Sequence, residues 1–145
     1  MPIGLNNPYI NLTEFLDGLP IIELGADSRV DDGDIIHAGN LELKIIHTPG
    51  HTKGGCCLYI ESQNLLISGD TLFRGTWGRT DLPTSDFNEI MNSIINKLMV
   101  LPDDTIVYPG HRKINYDLQR KTNIFGIKTK KNLVIKSIGL EYIFI

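Results

Sequence analysis

Between Ile35 and Tyr108 the apolar positions of this chain change period twice. Leu41-Glu42-Leu43-Lys44-Ile45-Ile46 alternates with a period of two, the signature of a half-buried strand, which is expected to run to His47. Gly55–Glu61 and Leu65–Ser68 also read as strands, as continuous apolar runs, separated by the turn formers Ser62-Gln63-Asn64. Ile35-Ile36 precedes them, between an Asp32-Gly33 pair read as a hairpin turn and a second turn at Ala38-Gly39-Asn40. Such short turns leave no room for crossover helices, so these strands are expected to form an antiparallel meander. From Asp86 to Leu101 the period becomes helical, with Phe87, Ile90, Met91, Ile94, Ile95, Leu98 and Met99 on one stripe. Asp86 and Glu89 have the spacing of a capping box, and Pro102 ends the helix. Thr105–Tyr108 returns to a strand. Residues 71–84 read as a long loop containing the only Trp. Residues 1–20 read as irregular with a short helix over Leu12–Asp17, and Leu133–Ile135 and Tyr142–Ile145 as one or two further strands.

Three of the strand-like runs end alike. The first gives way to Thr48-Pro49-Gly50-His51, the third to Gly69-Asp70, and Thr105–Tyr108 to Pro109-Gly110-His111. His51, Asp70 and His111 are therefore each delivered where a strand yields to a Gly-containing turn. Imidazole and carboxylate together suit a divalent metal such as zinc, and iron or manganese would accept the same donors. His47 and His51 are four apart, but Pro49 and Gly50 between them forbid the helix that would make them a zinc pair. His37 is read as structural. Asp31, Asp32 and Asp34 lack the twelve-residue spacing and terminal Glu of a calcium loop. The adjacent Cys56 and Cys57 point to opposite faces of a strand, so they are read as small buried hydrophobes without a bridge.

Composition narrows the field further. The 145 residues suit one domain, with no linker or repeat dividing them. A net charge of -3 gives no basic footprint for nucleic acid. No apolar run reaches the roughly 18–20 residues that span a bilayer, so a membrane partner is not expected. No leader is visible after Met1, and the expected compartment is the cytoplasm.

From about Asp31 to His111 the chain resembles the metallo-β-lactamase superfamily, specifically its hydroxyacylglutathione-hydrolase-like (glyoxalase II-type) enzymes. The resemblance rests on Asp32-Gly33-Asp34, Ile46-His47-Thr48-Pro49-Gly50-His51-Thr52, Leu66–Phe73, Gly78-Arg79-Thr80-Asp81-Leu82-Pro83 and Leu101–His111, in the family's order. It implies an α+β fold, the C-terminal half of an αββα sandwich, with a mostly antiparallel sheet and one amphipathic helix. It implies that His51 ligates a first metal, that Asp70 bridges two, and that His111 ligates the second. His47 matches a non-ligating His of the motif. The activity implied is thioester hydrolysis by a metal-bound hydroxide, acting on a small-molecule thioester or ester.

The family's H-x-H-x-D-H motif is absent, the only histidines being at 37, 47, 51 and 111. The whole of 1–145 is thus expected to form a single partial domain. Its motif-bearing part runs over about 31–111, and the tail from about 126 matches no familiar pattern. With one His plus a shared Asp for each ion, against the roughly three protein ligands of a catalytic zinc site, binding by the isolated chain is expected to be weak and the chain inactive. Half of a two-sheet sandwich also exposes an apolar face, which predicts self-association or a need for the missing N-terminal half. The alternative is a truncated, non-catalytic remnant that at most binds metal weakly or self-associates. A nucleic-acid-processing role in the same superfamily fits the acidic balance and the 78–83 loop less well.

Overall fold

A computed structural model of the chain describes Ala26, residues 28–111 and the backbone of 116–117. Six strands form one sheet: β1 (Ile35–Ala38), β2 (Leu41–His47), β3 (Cys56–Ile60), β4 (Leu65–Gly69), β7 (Ile106–Pro109) and β8 (Tyr116–Asp117), in that spatial order. Neighbours pair antiparallel except β4 and β7, which run parallel. The parallel pair needs a crossover, and α1 (Phe87–Ser93) lies within it. The expected α+β architecture, mainly sheet with one helix, is present. The expected short helix at 12–17 and the strands of the tail lie outside the described residues.

The direction of the strands brings the three predicted residues together. β2 and β4 are both antiparallel to β3, and β7 is parallel to β4. All three therefore run the same way, and their C-terminal ends lie along one edge of the sheet. His51 follows β2, Asp70 follows β4 and His111 follows β7. In α/β sheets generally, the carboxyl ends of like-directed strands are where ligands bind.

The main core lies between one sheet face and the helix. Cys57, Tyr59, Leu66 and Val107 from the sheet pack with Leu72, Ile90, Met91, Ile94 and Leu98, all buried. Cross-strand register puts Ile46, Cys57, Tyr59, Leu66 and Val107 on this face. Burying one Leu or Ile here stabilises by about 1.5–3 kcal/mol relative to leaving it exposed. On the opposite face Leu43, Ile45 and Ile60 are buried, whereas Ile36, Ile67 and Ile106 are 38%, 37% and 41% exposed.

Several details differ from the periodic pattern. The helix begins as expected, with the Asp86 carboxylate accepting from the Glu89 N–H. It does not remain α-helical to Leu101: Ile94–Leu98 is a π-helical turn, closed by Met99 N–H donating to Ile94 O. Apolar spacing cannot distinguish the two, because both keep Ile94 and Leu98 on the core side. Residues 71–84 are not loop throughout: β5 (Leu72–Phe73) and β6 (Thr76–Trp77) form a small hairpin. The hairpin joining β1 to β2 turns at Gly39-Asn40; Asp32-Gly33 is a turn as expected, with Asp34 N–H donating to Asp31 O at 3.2 Å, but it does not join two strands and extends the pairing of β2, Gly33 N–H donating to Ile45 O and Ile45 N–H to Asp34 O. Cys57 is buried but Cys56 is exposed, because alternate strand residues face opposite ways and only the Cys57 side meets the helix. Both are free thiols. Among the described residues no helix is long and apolar enough to cross a membrane.

Candidate metal centre

Asp70 sits between the two histidines and offers one oxygen to each. His111 Nδ1 lies 2.9 Å from Asp70 Oδ1, and His51 Nε2 lies 3.7 Å from Asp70 Oδ2. The side chains are 22% (His51), 42% (Asp70) and 57% (His111) exposed, so the cluster opens to solvent on the His111 side.

His51 is the most firmly held. Its Nδ1 lies 2.9 Å from the carbonyl oxygen of Arg79. A carbonyl can only accept, so Nδ1 carries a hydrogen, and in the neutral ring this leaves the lone pair on Nε2, the nitrogen toward Asp70. Metal-ligating histidines generally have such a partner on the far nitrogen. The 78–79 backbone reaches His51 because residue 78 is Gly: a Cβ there would collide with the Asp70 carbonyl oxygen and lie 3.1 Å from His51 Cβ.

The loop carrying His51 is shaped by Pro49-Gly50. Gly50 adopts φ +130°, which side chains rarely tolerate, and a Cβ on it would overlap the Ile90 backbone. The loop closes through His47 Nε2 to Lys53 O at 2.9 Å and Thr48 N–H to Gly55 O at 2.8 Å. His47 thus ties the loop and does not face Asp70. His37, in β1 at the opposite side of the sheet, is exposed and pairs with Glu42 in register.

Beneath this cluster lies a buried polar network. Thr48 Oγ1 is 3.0 Å from Thr71 Oγ1 and 3.4 Å from Cys57 Sγ, and Ser68 Oγ donates to Leu72 O at 2.7 Å. It joins the residue after β2 to the residue after Asp70. Burial pushes the Cys57 thiol up to about 11, so it stays protonated and can donate to Ser68 O, 3.6 Å away. On the His111 side, Gly110 N–H donates to Gly69 O at 2.8 Å, and the Phe73 ring meets the His111 ring edge-on at 4.5 Å.

Asp32 belongs to neither a calcium loop nor the cluster. It accepts from His47 N–H at 2.7 Å and from Lys97 Nζ at 2.8 Å. These two donors hold its carboxyl below the usual carboxylate range. A cavity of about 400 Å³ lies beside this pair, lined by Lys44, Ile46, Tyr59 and Leu101 among others; His51, Asp70 and His111 do not line it.

The imidazole and carboxylate donors are of a kind that divalent ions accept. Among the described residues no three His, Cys, Asp or Glu side chains converge as a ligand set for one ion. The arrangement is instead two His–Asp pairs sharing one carboxylate. Gly78, Arg79 and Asp32 lie in stretches that carry the family resemblance, but nothing in the sequence assigns them or Lys97 a contact at the site. A backbone acceptor is independent of residue type, and Lys97 reads as an ordinary charged position on the helix surface.

The metallo-beta-lactamase superfamily model matches residues 5–111, beginning well before Asp31. An uncharacterised protein of Aquifex aeolicus is 48% identical over 85 residues, which is 59% of this chain and 40% of that one. Hydroxyacylglutathione hydrolase of Haemophilus influenzae is 36% identical over 96 residues, 65% of this chain and 45% of that one. The chain therefore spans less than half the length of these curated relatives. Among solved structures, BLEG-1 B3 metallo-beta-lactamase superposes with a TM-score of 0.72 at 34% identity, covering 81% of this chain and 56% of that one. TTHA1623, in a di-iron-bound form, gives 0.63 at 32% identity, covering 80% and 57%. With like-directed strand ends converging on Asp70 and the family model matched through His111, the chain belongs to the metallo-β-lactamase superfamily.

Proposed function

We propose that the chain carries one side of the dinuclear site of a metal-dependent hydrolase that cleaves hydroxyacyl-glutathione-type thioesters, with His51, Asp70 and His111 as the ligands it contributes. The observation that carries this reading is the Asp70 carboxylate, with one oxygen toward His51 and the other toward His111. A carboxylate so placed suits a bridge between two divalent ions, His51 serving one and His111 the other. The relative from Haemophilus influenzae supports the thioester substrate, and the di-iron form of TTHA1623 supports a two-metal site. Zinc suits these donors, and iron or manganese would also be accepted. When bound, such ions polarise a scissile carbonyl and make water a nucleophile at neutral pH. The chain's own residues orient the donors: the Arg79 carbonyl fixes the His51 tautomer, and the Thr48–Thr71 contact fixes the His51 and Asp70 loops relative to each other.

One His and a shared carboxylate per ion fall short of the roughly three protein ligands of a catalytic zinc site. The remaining ligands would come from an H-x-H-x-D-H segment, so the chain alone should bind zinc weakly and be inactive. The test is to mix it with a family N-terminal half bearing that motif, add zinc, and follow cleavage of a hydroxyacyl-glutathione thioester. Cleavage above that of either half, lost on Asp70→Asn, is expected; no gain with both halves folded would count against the reading.

A second reading, a non-catalytic domain that self-associates, is favoured by Ile36, Ile67 and Ile106 exposed on one face. Concentration-dependent dimerisation in sedimentation, unaffected by zinc or by the N-terminal half, would favour it.

A further inference from the structure

We infer that Ser93 and Lys97 are positioning residues for His51: they hold the backbone that presents its imidazole. This rests on the reading of His51 as a metal ligand, but the geometry stands apart from it. Residues 47–50 run along the helical segment in the opposite direction, and three of their four carbonyls are met by donors from it. Asp86 N–H donates to Gly50 O at 2.8 Å, Ser93 Oγ to Pro49 O at 2.8 Å, and Lys97 Nζ to His47 O at 2.8 Å. Gly50 lies against the Ile90 backbone, so Asp86, Ile90, Ser93 and Lys97 form one continuous line of contact.

The line continues into β2. Lys97 Nζ also donates to Asp32 Oδ2, whose Oδ1 accepts from His47 N–H. One ammonium group therefore closes a ring through Asp32 and both backbone polar groups of His47, the last residue of β2. Lys97 lies within the π-helical turn Ile94–Leu98, and such turns are often found at functional sites. Ser93 is buried, and its hydroxyl is the donor that Pro49 O receives in a crowded interface. With the backbone of 47–50 fixed on this side and the ring fixed by Arg79 O, His51 is constrained at both ends before any ion arrives.

The full chain with Ser93→Ala, Lys97→Met or Lys97→Arg tests this by three readouts. These are exchange of the Asp86 amide, the ¹⁵N signals of the His51 ring in metal-free protein, and zinc affinity by titration. Ser93→Ala and Lys97→Met are expected to speed Asp86 exchange tenfold or more while core amides of Leu66 and Val107 stay protected. They should mix the His51 tautomers and weaken zinc binding by about 10–100-fold, as loss of ligand-orienting groups does. Lys97→Arg, which keeps a donor and the charge, should stay near the parent. If both deletions leave exchange, tautomer and affinity unchanged, the proposal is overturned. Should Lys97→Met fail to fold, Ser93→Ala, which removes one hydroxyl, decides alone. If the parent chain binds no zinc even when mixed with a folded family N-terminal half, while the tautomer and exchange effects appear, the positioning stands and the metal reading falls.

Discussion

The two histidines of the candidate site reach the same carboxylate from unlike surroundings. His51 is mostly buried, its Nδ1 is held by the Arg79 carbonyl, and its loop is pinned to the helix by a run of hydrogen bonds. His111 is more than half exposed and is held by Asp70 itself and by the edge of Phe73. The fold therefore preorganises the His51 corner and leaves the His111 corner to be set by what binds there. A preorganised ligand loses little freedom on binding, so an ion should engage His51 first.

The largest effect on the His51 corner is expected at Gly50. Gly50→Ala forces a side chain into a φ of +130° and into the Ile90 backbone, and should cost more than about 3 kcal/mol, read as a large fall in the thermal midpoint. It should damage the His51 corner and the helix interface together. Leu98→Ala, at the buried end of the π-helical turn, should cost about 2–5 kcal/mol in urea unfolding.

The two histidines themselves should respond unequally to substitution. His51→Ala should weaken zinc binding by at least the roughly 10–100-fold that loss of an orienting partner costs a site, and His111→Ala by less. Equal losses in parallel titrations would remove the asymmetry.

A smaller effect concerns Asp32. Its folded-state pKa is lowered below 3.8 by Lys97 and the His47 N–H, so the stability it contributes is present above the unfolded pKa and lost as pH falls through the folded value. The pair is substantially solvent-exposed, which limits its contribution to less than about 1 kcal/mol. Asp32→Asn should lower the urea midpoint at pH 7, and the gap to the parent should shrink below about pH 4. The smallest effect is expected for Arg79→Ala. The Arg79 side chain is occupied with exposed Asp81, whose carboxyl it holds down to about 2, while its carbonyl holds His51. Zinc affinity should stay at the parent's value, whereas Gly78→Ala should lower it.

Much of this was legible in the residues because short apolar or alternating runs and Pro-Gly or Gly-Asp endings are local. They marked β2, β3, β4 and β7 and the residues at their ends, and strand direction then brings those ends to one edge. Asp86 and Glu89 likewise announced the helix start. The π-helical turn was not legible, because an apolar stripe tolerates either winding. Nor was the β5–β6 hairpin, whose four residues are too few for a periodic signal. The hold of Arg79 on His51 belongs to the main chain, and the reach of Lys97 to His47 spans 50 residues. Such long-range contacts exist only after folding, and they distinguish the two corners of the site.

The most direct test is zinc titration of the ¹⁵N-labelled chain, following the ring nitrogens of its four histidines. The predicted result is saturable shifts at His51 Nε2 and at His111, with His51 Nδ1 still protonated, His37 and His47 unmoved, and all shifts abolished by Asp70→Asn. Shifts confined to His37 or His47, or the same shifts in Asp70→Asn, would contradict a metal centre built on that shared carboxylate.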